Sequence, residues 1–463
     1  MLKDKRLYTI GRIIFIFIPL SLFLCPSCQF KEQDFTDFID LEAGKGMKFC
    51  PYGMHETDLS EGIPYNCYLP DGTPLNDYTE SIEELEEFEE LQAEEEGAAN
   101  APRRTNSTTG ANVLQELLRY GNQKKVIEIP GTYPSIDGNW NPITLSGKVM
   151  LPAGKRPKRM ILVSHYTVCS NAEAPSNAFS LEGLLVEQGY GLIIPDYLGY
   201  GVTADQVHPY LVMDLTARNV LDMYLAVRPW LKAVGYEPEY SDIYLMGYSQ
   251  GGATTMAVEY LIENEYSYEG DPDKIDIHRV FAGGGPYDVQ ATYERFVTTD
   301  VAGYPVAVPL VMQGMILGNN LNIKMTDLMQ TWLYSHMDDW INSKKYTSAQ
   351  INSFIGTTVT HKLLTPEAMN QKSANVAELY KAMTTNSITS HNWVPQASVY
   401  IMHSMDDEVV PYTNATNAKS KWQGANITYN FGHYGTHIKT CLRFILTVKK
   451  LLKQEEAERK LYE

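Results

Sequence analysis

The sequence predicts an α/β domain: a mostly parallel sheet with helices on both faces and a helical cap inserted into it. Three observations predict it. From about residue 143 onward, short apolar β-former runs alternate with helical stretches. A serine flanked by glycines, Gly247-Tyr248-Ser249-Gln250-Gly251, lies between one such run and a helix. Between about 288 and 395 the alternation stops, in a stretch rich in Met, Tyr, Thr and Asn, and a further strand candidate follows it.

Taken in order, the chain opens on Lys3, Lys5, Arg6 and Arg12, then an apolar run over 13–24 that is short for a membrane span. With Pro26-Ser27-Cys28 this resembles the lipobox of bacterial lipoproteins, in which the cysteine is acylated. Residues 1–27 read as the signal peptide and Cys28 as the lipidation site, with Cys25 the other anchor candidate. Gln29-Phe30-Lys31-Glu32-Gln33-Asp34 resembles the charged export tag of surface lipoproteins in Bacteroidetes. The expectation is an exported, outer-membrane lipoprotein, periplasmic or at the cell surface.

Residues 28–110 read as a tether and a small, acidic N-terminal element in which a dense core is not expected. Ten glutamates crowd residues 79–97, and turn formers surround them. Ile82, Leu85, Phe88 and Leu91 recur every third position there, a weakly amphipathic helical pattern inside an acidic spacer. The folded domain, 111–463, is expected to begin near Ala111, with the cap at about 288–395. Within it, 143–151 is a strand candidate bounded by Pro142 and Pro152, and 159–164 a continuous apolar run suited to a buried parallel strand. Residues 181–189 read as a helix, 191–195 as a strand, 214–234 as a helix, 280–285 and 398–402 as strands, and 438–452 as the last helix.

The net charge of −18 excludes a nucleic-acid partner, which needs a basic face, and disfavours anionic headgroups. Membrane contact is expected only through the lipid anchor. Once the leader is removed, Cys50, Cys67, Cys169 and Cys441 remain in an oxidising compartment. Cys50 with Cys67 can close a small loop, and Cys169 with Cys441 can staple the rim of the site, the connectivity being open. No Cys/His cluster outside the leader suggests a metal.

The glycine-flanked serine carries the chemistry. A strand-to-helix turn of this kind lifts the hydroxyl off the sheet and leaves no room for bulk two residues to either side. A serine needs a base, and the base needs an acid to orient it, in the chain order Ser, Asp or Glu, His. After the 398–402 strand, His403-Ser404-Met405-Asp406-Asp407-Glu408-Val409-Val410-Pro411 offers the acid. Its spacing to Val410-Pro411 favours Asp407, with Asp406 the alternative. Gly432-His433-Tyr434-Gly435-Thr436-His437 offers the base: His437, which abuts the last helix, is favoured, with His433 the alternative. Backbone N–H groups of Gln250 and of Thr167, on the loop after the 159–164 strand, are the oxyanion donors. Asp196 precedes the serine and reads as a turn-fixing residue. Met312, Met315, Met325 and Met329, with Trp332, Tyr334 and Trp340, either line an apolar pocket or form the cap's own core.

Gly-Tyr-Ser-Gln-Gly-Gly, Pro195-Asp196-Tyr197-Leu198-Gly199-Tyr200-Gly201 with His208-Pro209-Tyr210, Gly-Gly-Gly-Pro-Tyr-Asp at 283–288 and the D-x-x-V-P loop resemble the α/β-hydrolase superfamily. The likeness covers roughly 113–451 and is nearest to secretory-lipase-like carboxylesterases, particularly Bacteroidetes lipoproteins. Tyr166 stands where His-Gly is common. The resemblance implies hydrolysis of a small-molecule or glycan ester through an acyl-enzyme, with no metal and no organic cofactor. A serine peptidase or an acyltransferase on the same fold is the alternative, and an inactive surface binding protein a more distant one.

Overall fold

The computed structural model describes residues 48–78, 124–267 and 274–462. The signal peptide, Cys25, Cys28 and the acidic run at 79–97 lie outside the described residues. One sheet comprises β1 (Cys50–Pro51), β2 (His55–Asp58), β3 (Lys125–Ile136), β4 (Pro142–Pro152), β5 (Met160–Ser164), β6 (Gly191–Pro195), β7 (Ile243–Tyr248), β8 (Ile277–Gly283), β9 (Val399–Ser404) and β10 (Ile427–Gly432). Its order is β1-β3-β4-β6-β5-β7-β8-β9-β10, with β2 also on β3. Every pair from β6 to β10 is parallel, and the pairs among β1, β2, β3, β4 and β6 are antiparallel. This is the predicted class.

The apolar strands are continuous because both faces are covered. Along β7, Ile243 and Leu245 join the cluster beneath the helices Met213–Ala233 and Gln250–Glu265, whereas Tyr244, Met246 and Tyr248 join the opposite one. In β9, Val399 and Ile401 face one way, Tyr400 and Met402 the other. The second face is closed by the 3-10 turns of Leu181–Gln188 and by the C-terminal helix, His437–Tyr462, which runs longer than its sequence pattern suggests. Lys449 on that helix donates to Glu187 at 3.0 Å, a buried pair tying the two together.

Strand order reverses at β5, which has β6 on one side and β7 on the other. In an open α/β sheet such a switch point opens a crevice at the carboxyl ends of the two strands. The loop holding Thr167 leaves β5 there, and the serine turn leaves β7.

The folded part of the chain reaches further back than Ala111. Residues 48–78, read from sequence as part of a tether and small N-terminal element outside the folded domain, pack on the sheet: β1 and β2 pair with β3, and Leu59, Leu69 and Leu75 are buried. Phe49 meets the Trp230 ring edge-on at 5.1 Å. Turn formers hid this, because the segment buries few, widely spaced apolar side chains against a preformed surface rather than making a core of its own. The expected cysteine pairs are also absent. Cys50, Cys67, Cys169 and Cys441 are free thiols. Cys50 is exposed on an edge strand while Cys67 is buried, and Cys169 and Cys441 belong to clusters on opposite faces of the sheet.

Between β8 and β9 the chain forms a run of helices that includes Val289–Thr299, Ala307–Gly318, Ser348–Ile355 and Ala374–Thr385. Met312, Met315 and Met329 are fully buried among them, so these methionines are the cap's core. Trp332 and Tyr334 stand at its surface.

Glu182, in the Leu181–Gln188 turns, is buried with Oε1 unpartnered, and burial pushes its carboxyl up to about 7. The folded chain therefore holds a proton that the unfolded chain has released, and stability falls as pH rises through that interval. Glu182→Gln should match the wild type near pH 4 and exceed it by roughly 2–3 kcal/mol above about pH 8. Urea denaturation across this pH range measures the difference.

Candidate active site

The turn after β7 is tight. Ser249 takes φ 58° and ψ −125°, a conformation that L-residues rarely adopt. Its N–H donates to Gly283 O at 2.8 Å, which moors the turn to β8. A Cβ on Gly251 would lie 1.9 Å from Ser164 O, and one on Gly247 would lie 2.3 Å from Gly251 O, so only glycine lets the helix cross at this depth. Gln250, as the first residue of that helix, has an N–H with no intrahelical acceptor, at the positive end of the helix.

Ser249 Oγ lies 2.8 Å from His437 Nε2, and His437 Nδ1 lies 2.7 Å from Asp407 Oδ2. The carboxylate can only accept, so Nδ1 carries the proton and Nε2 accepts the serine hydroxyl. Asp407 is held in turn by the N–H groups of Val409, at 2.9 Å, and Val410, at 2.8 Å, both on Oδ1. Burial alone would raise its pKa; His437 and the Val410 N–H outweigh that and keep it below the ordinary carboxylate value. Tyr248 Oη donates to His437 O at 2.7 Å and its ring packs on the imidazole, so the residue before Ser249 also anchors His437.

The alternatives from the sequence form a pair of their own. His433 Nδ1 lies 2.8 Å from Asp406 Oδ1, with side chains 74% and 46% exposed, and neither lines the cavity at Ser249. The third acid of the loop, Glu408, accepts the His437 N–H at 3.0 Å, at the start of the C-terminal helix. Asp196 is fully buried, accepting from Ser146 Oγ at 2.5 Å and from the Ser176 N–H at 2.7 Å, as a turn-fixing residue should.

Thr167 and Ser249 line one cavity of about 230 Å³. Thr167 Oγ1 lies 2.8 Å from Tyr210 Oη. His208, two residues earlier, donates from Nδ1 to Leu198 O at 2.7 Å and accepts the Gln250 side-chain amide on Nε2 at 2.9 Å. Burial, then Lys344, holds its pKa down to about 3, so it stays neutral and able to accept. One tripeptide, His208-Pro209-Tyr210, thus grips both residues proposed as oxyanion donors. The sequence contained it only as part of a family likeness, since nothing local says what a distant loop will touch. Its apolar walls include Phe296, Ala307 and Val311 of the cap and Ile438, and no methionine or tryptophan lines it.

The rice cell wall degrading esterase LipA from Xanthomonas oryzae has a similar fold: TM-score 0.61 at 22% identity, covering 72% of this chain and 91% of that one. A Legionella pneumophila protein gives 0.62 at 17% identity, covering 73% and 93%. Candida antarctica lipase A gives 0.50 at 17%, covering 67% and 73%. No curated protein sequence matches the chain. At these identities the likenesses concern the α/β-hydrolase fold. The secretory lipase family model, by contrast, matches the sequence itself over residues 171–442, which is more than half of the chain and runs from before the nucleophile turn to beyond His437. The protein accordingly belongs to the secretory lipase family and is a carboxylic ester hydrolase.

Proposed function

We propose that the protein is an exported serine esterase working through Ser249, His437 and Asp407. The observation that carries this is the unbroken line from Ser249 Oγ through both imidazole nitrogens to a buried carboxylate, in contacts of 2.8 and 2.7 Å. Ser249 Oγ attacks the ester carbonyl as His437 Nε2 takes its proton. The N–H groups of Gln250 and Thr167 receive the oxyanion, and His437 returns the proton to the leaving alcohol. Water then enters by the same route in reverse and releases the acid from the acyl-enzyme. Asp407 stays ionised throughout, orienting the imidazole and stabilising its charged form.

The substrate class is a small-molecule or glycan ester. A cavity of about 230 Å³ favours a short acyl group, since sites for drug-sized ligands run to roughly 300–1,000 Å³. The family's secretory character supports export. The basic stretch, short apolar run and Cys28 of the leader support a lipid anchor at the outer membrane.

A fluorophosphonate should label the wild type and fail on folded Ser249→Ala, whose kcat should fall about 10⁴–10⁶-fold. With 4-nitrophenyl esters from acetyl to palmitoyl, turnover should peak among the short chains. Asp407→Asn should lower kcat by about 10³–10⁴, whereas Asp406→Asn should change it by no more than about twofold. Equal losses in the two would overturn the assignment.

The grip of His208-Pro209-Tyr210 yields a separate expectation. Tyr210→Phe should lower kcat roughly tenfold through a loosened Thr167, less than the loss of an oxyanion donor itself. Steady-state kinetics beside a thermal melt separates this from unfolding.

A further inference from the structure

Residues 67–75 form a tight hairpin. The Leu75 N–H donates to Cys67 O at 2.8 Å and the Leu69 N–H to Thr73 O at 2.8 Å, leaving Pro70-Asp71-Gly72 at the tip. The hairpin is wedged between core and cap. Tyr166, beside the proposed oxyanion residue Thr167, donates to Tyr68 O. From the cap, Tyr304 Oη donates to Pro70 O at 3.0 Å and the Ala349 N–H to Asp71 O at 2.7 Å. Gly72 has φ +79°, and a Cβ there would lie 2.5 Å from Thr347 Cβ, so the tip is closely fitted as well as tethered. The hairpin lies outside residues 171–442, where the family match falls.

Its tip is a wall of the catalytic cavity. Pro70 and Asp71 line the same space as Ser249 and His437. Glu408, from the acid loop, lines the same space as a second carboxylate, its Oε2 accepting the His437 N–H at 3.0 Å. No Lys or Arg is among the lining residues, and no ion pair joins either carboxylate to a cation among the described residues. Asp71 is occupied only by its own turn, Oδ1 accepting the Thr73 N–H at 3.0 Å and Oδ2 the Thr73 hydroxyl at 3.0 Å. Each oxygen keeps acceptor capacity. A cavity that is otherwise largely apolar thus carries two carboxylates that no Lys or Arg side chain pairs, Glu408 being engaged by the N-terminal N–H of the C-terminal helix and Asp71 only by its own turn. Low-dielectric walls strengthen such a field, and a charge in the substrate is what it discriminates.

We propose that Asp71, presented by this hairpin and seconded by Glu408, is a specificity-determining residue that makes the site prefer esters bearing a cationic group, such as quaternary ammonium or amino-acyl esters, over neutral isosteres and anionic esters. The proposal rests on the reading of Ser249 as the nucleophile of this cavity. Asp71→Asn is the informative change, because the amide oxygen can still accept from Thr73 and the turn is retained.

The test compares kcat/KM for butyrylcholine with that for 3,3-dimethylbutyl butyrate, its uncharged isostere, by pH-stat at low salt. The same assay is run on Asp71→Asn and on Glu237→Gln, an exposed change before β7 and so at the other end of the strands from Ser249. The wild type should favour the cationic ester by about tenfold. That ratio should fall at least about threefold in Asp71→Asn and in roughly 0.5 M salt, where screening is nearly complete beyond a few ångströms. It should hold in Glu237→Gln, which removes the same net charge elsewhere. Equal rates for the two esters in a wild type that fluorophosphonate labels at Ser249, or an unchanged ratio in Asp71→Asn, overturn the proposal alone. Failure of folded wild type to label at Ser249 overturns the nucleophile reading, and the proposal with it.

Discussion

The depth at which the helix Gln250–Glu265 crosses β5 and β8 governs the rest of the site. A side chain on Gly251 would meet Ser164 O at 1.9 Å and one on Gly252 would meet Gly283 O at 2.5 Å, so the helix start is set against two strand ends at once. That approach requires Ser249 to hold positive φ, a strain of about 1–3 kcal/mol. The strain persists because the Ser249 N–H is bound to Gly283 O and both faces of β7 are buried. In return, the serine hydroxyl stands clear of the sheet, within hydrogen-bond reach of His437 Nε2 and in the same cavity as Thr167. Backing the helix off would take the Ser249 hydroxyl away from His437 and move the first helical N–H with it, so the two positions share one structural cause.

The second constraint is dielectric. Two histidine–aspartate pairs lie at this end of the molecule with almost equal separations, 2.7 Å for His437–Asp407 and 2.8 Å for His433–Asp406. The first has side chains 4% and 0% exposed, the second 74% and 46%. Water screens the outer pair to nearly nothing. The inner carboxylate faces its imidazole in a low-dielectric site, where the same interaction is worth far more. Desolvating Asp407 is offset by two backbone N–H groups, as a buried anion demands. Three consecutive acids therefore do three jobs: Asp406 meets a surface histidine, Asp407 orients the buried one, and Glu408 caps the helix that carries it.

Local signals made most of this legible. The run from Ile243 to Met246, the glycines about Ser249 and the D-x-x-V-P spacing each reflect a short-range steric or hydrogen-bonding requirement, and each lies where the sequence indicates. Elements of a different kind were missed. Strand β3 contains Pro130, Gly131 and Pro134, which speak against a strand, yet its length is held by eleven residues of register with β4. Strand β10 is only partly buried, so it shows no apolar run. The choice between His433 and His437 depended on which loop residue turns inward, and glycine spacing does not encode that. The cysteine pairings failed for a related reason, because sequence separation carries no information about which face of a sheet a thiol joins.

What lay furthest from local pattern is the support of the loop after β5 and of Gln250. Three side chains fix them from three places: Tyr166 is bound to the hairpin backbone at Tyr68, Thr167 to Tyr210, and the Gln250 amide to His208. Each of these contacts joins residues that are distant in sequence, and none produces a periodicity or a spacing. The hairpin also holds the cap through Tyr304 and Ala349, so the apolar wall of the cavity and the loop after β5 are referred to one common element. A shift of the cap would pull on Pro70 and Asp71, and through Tyr68 on the residue next to Thr167. The cap wall of the cavity and the loop after β5 are thus mechanically connected through a segment whose composition looks like a spacer.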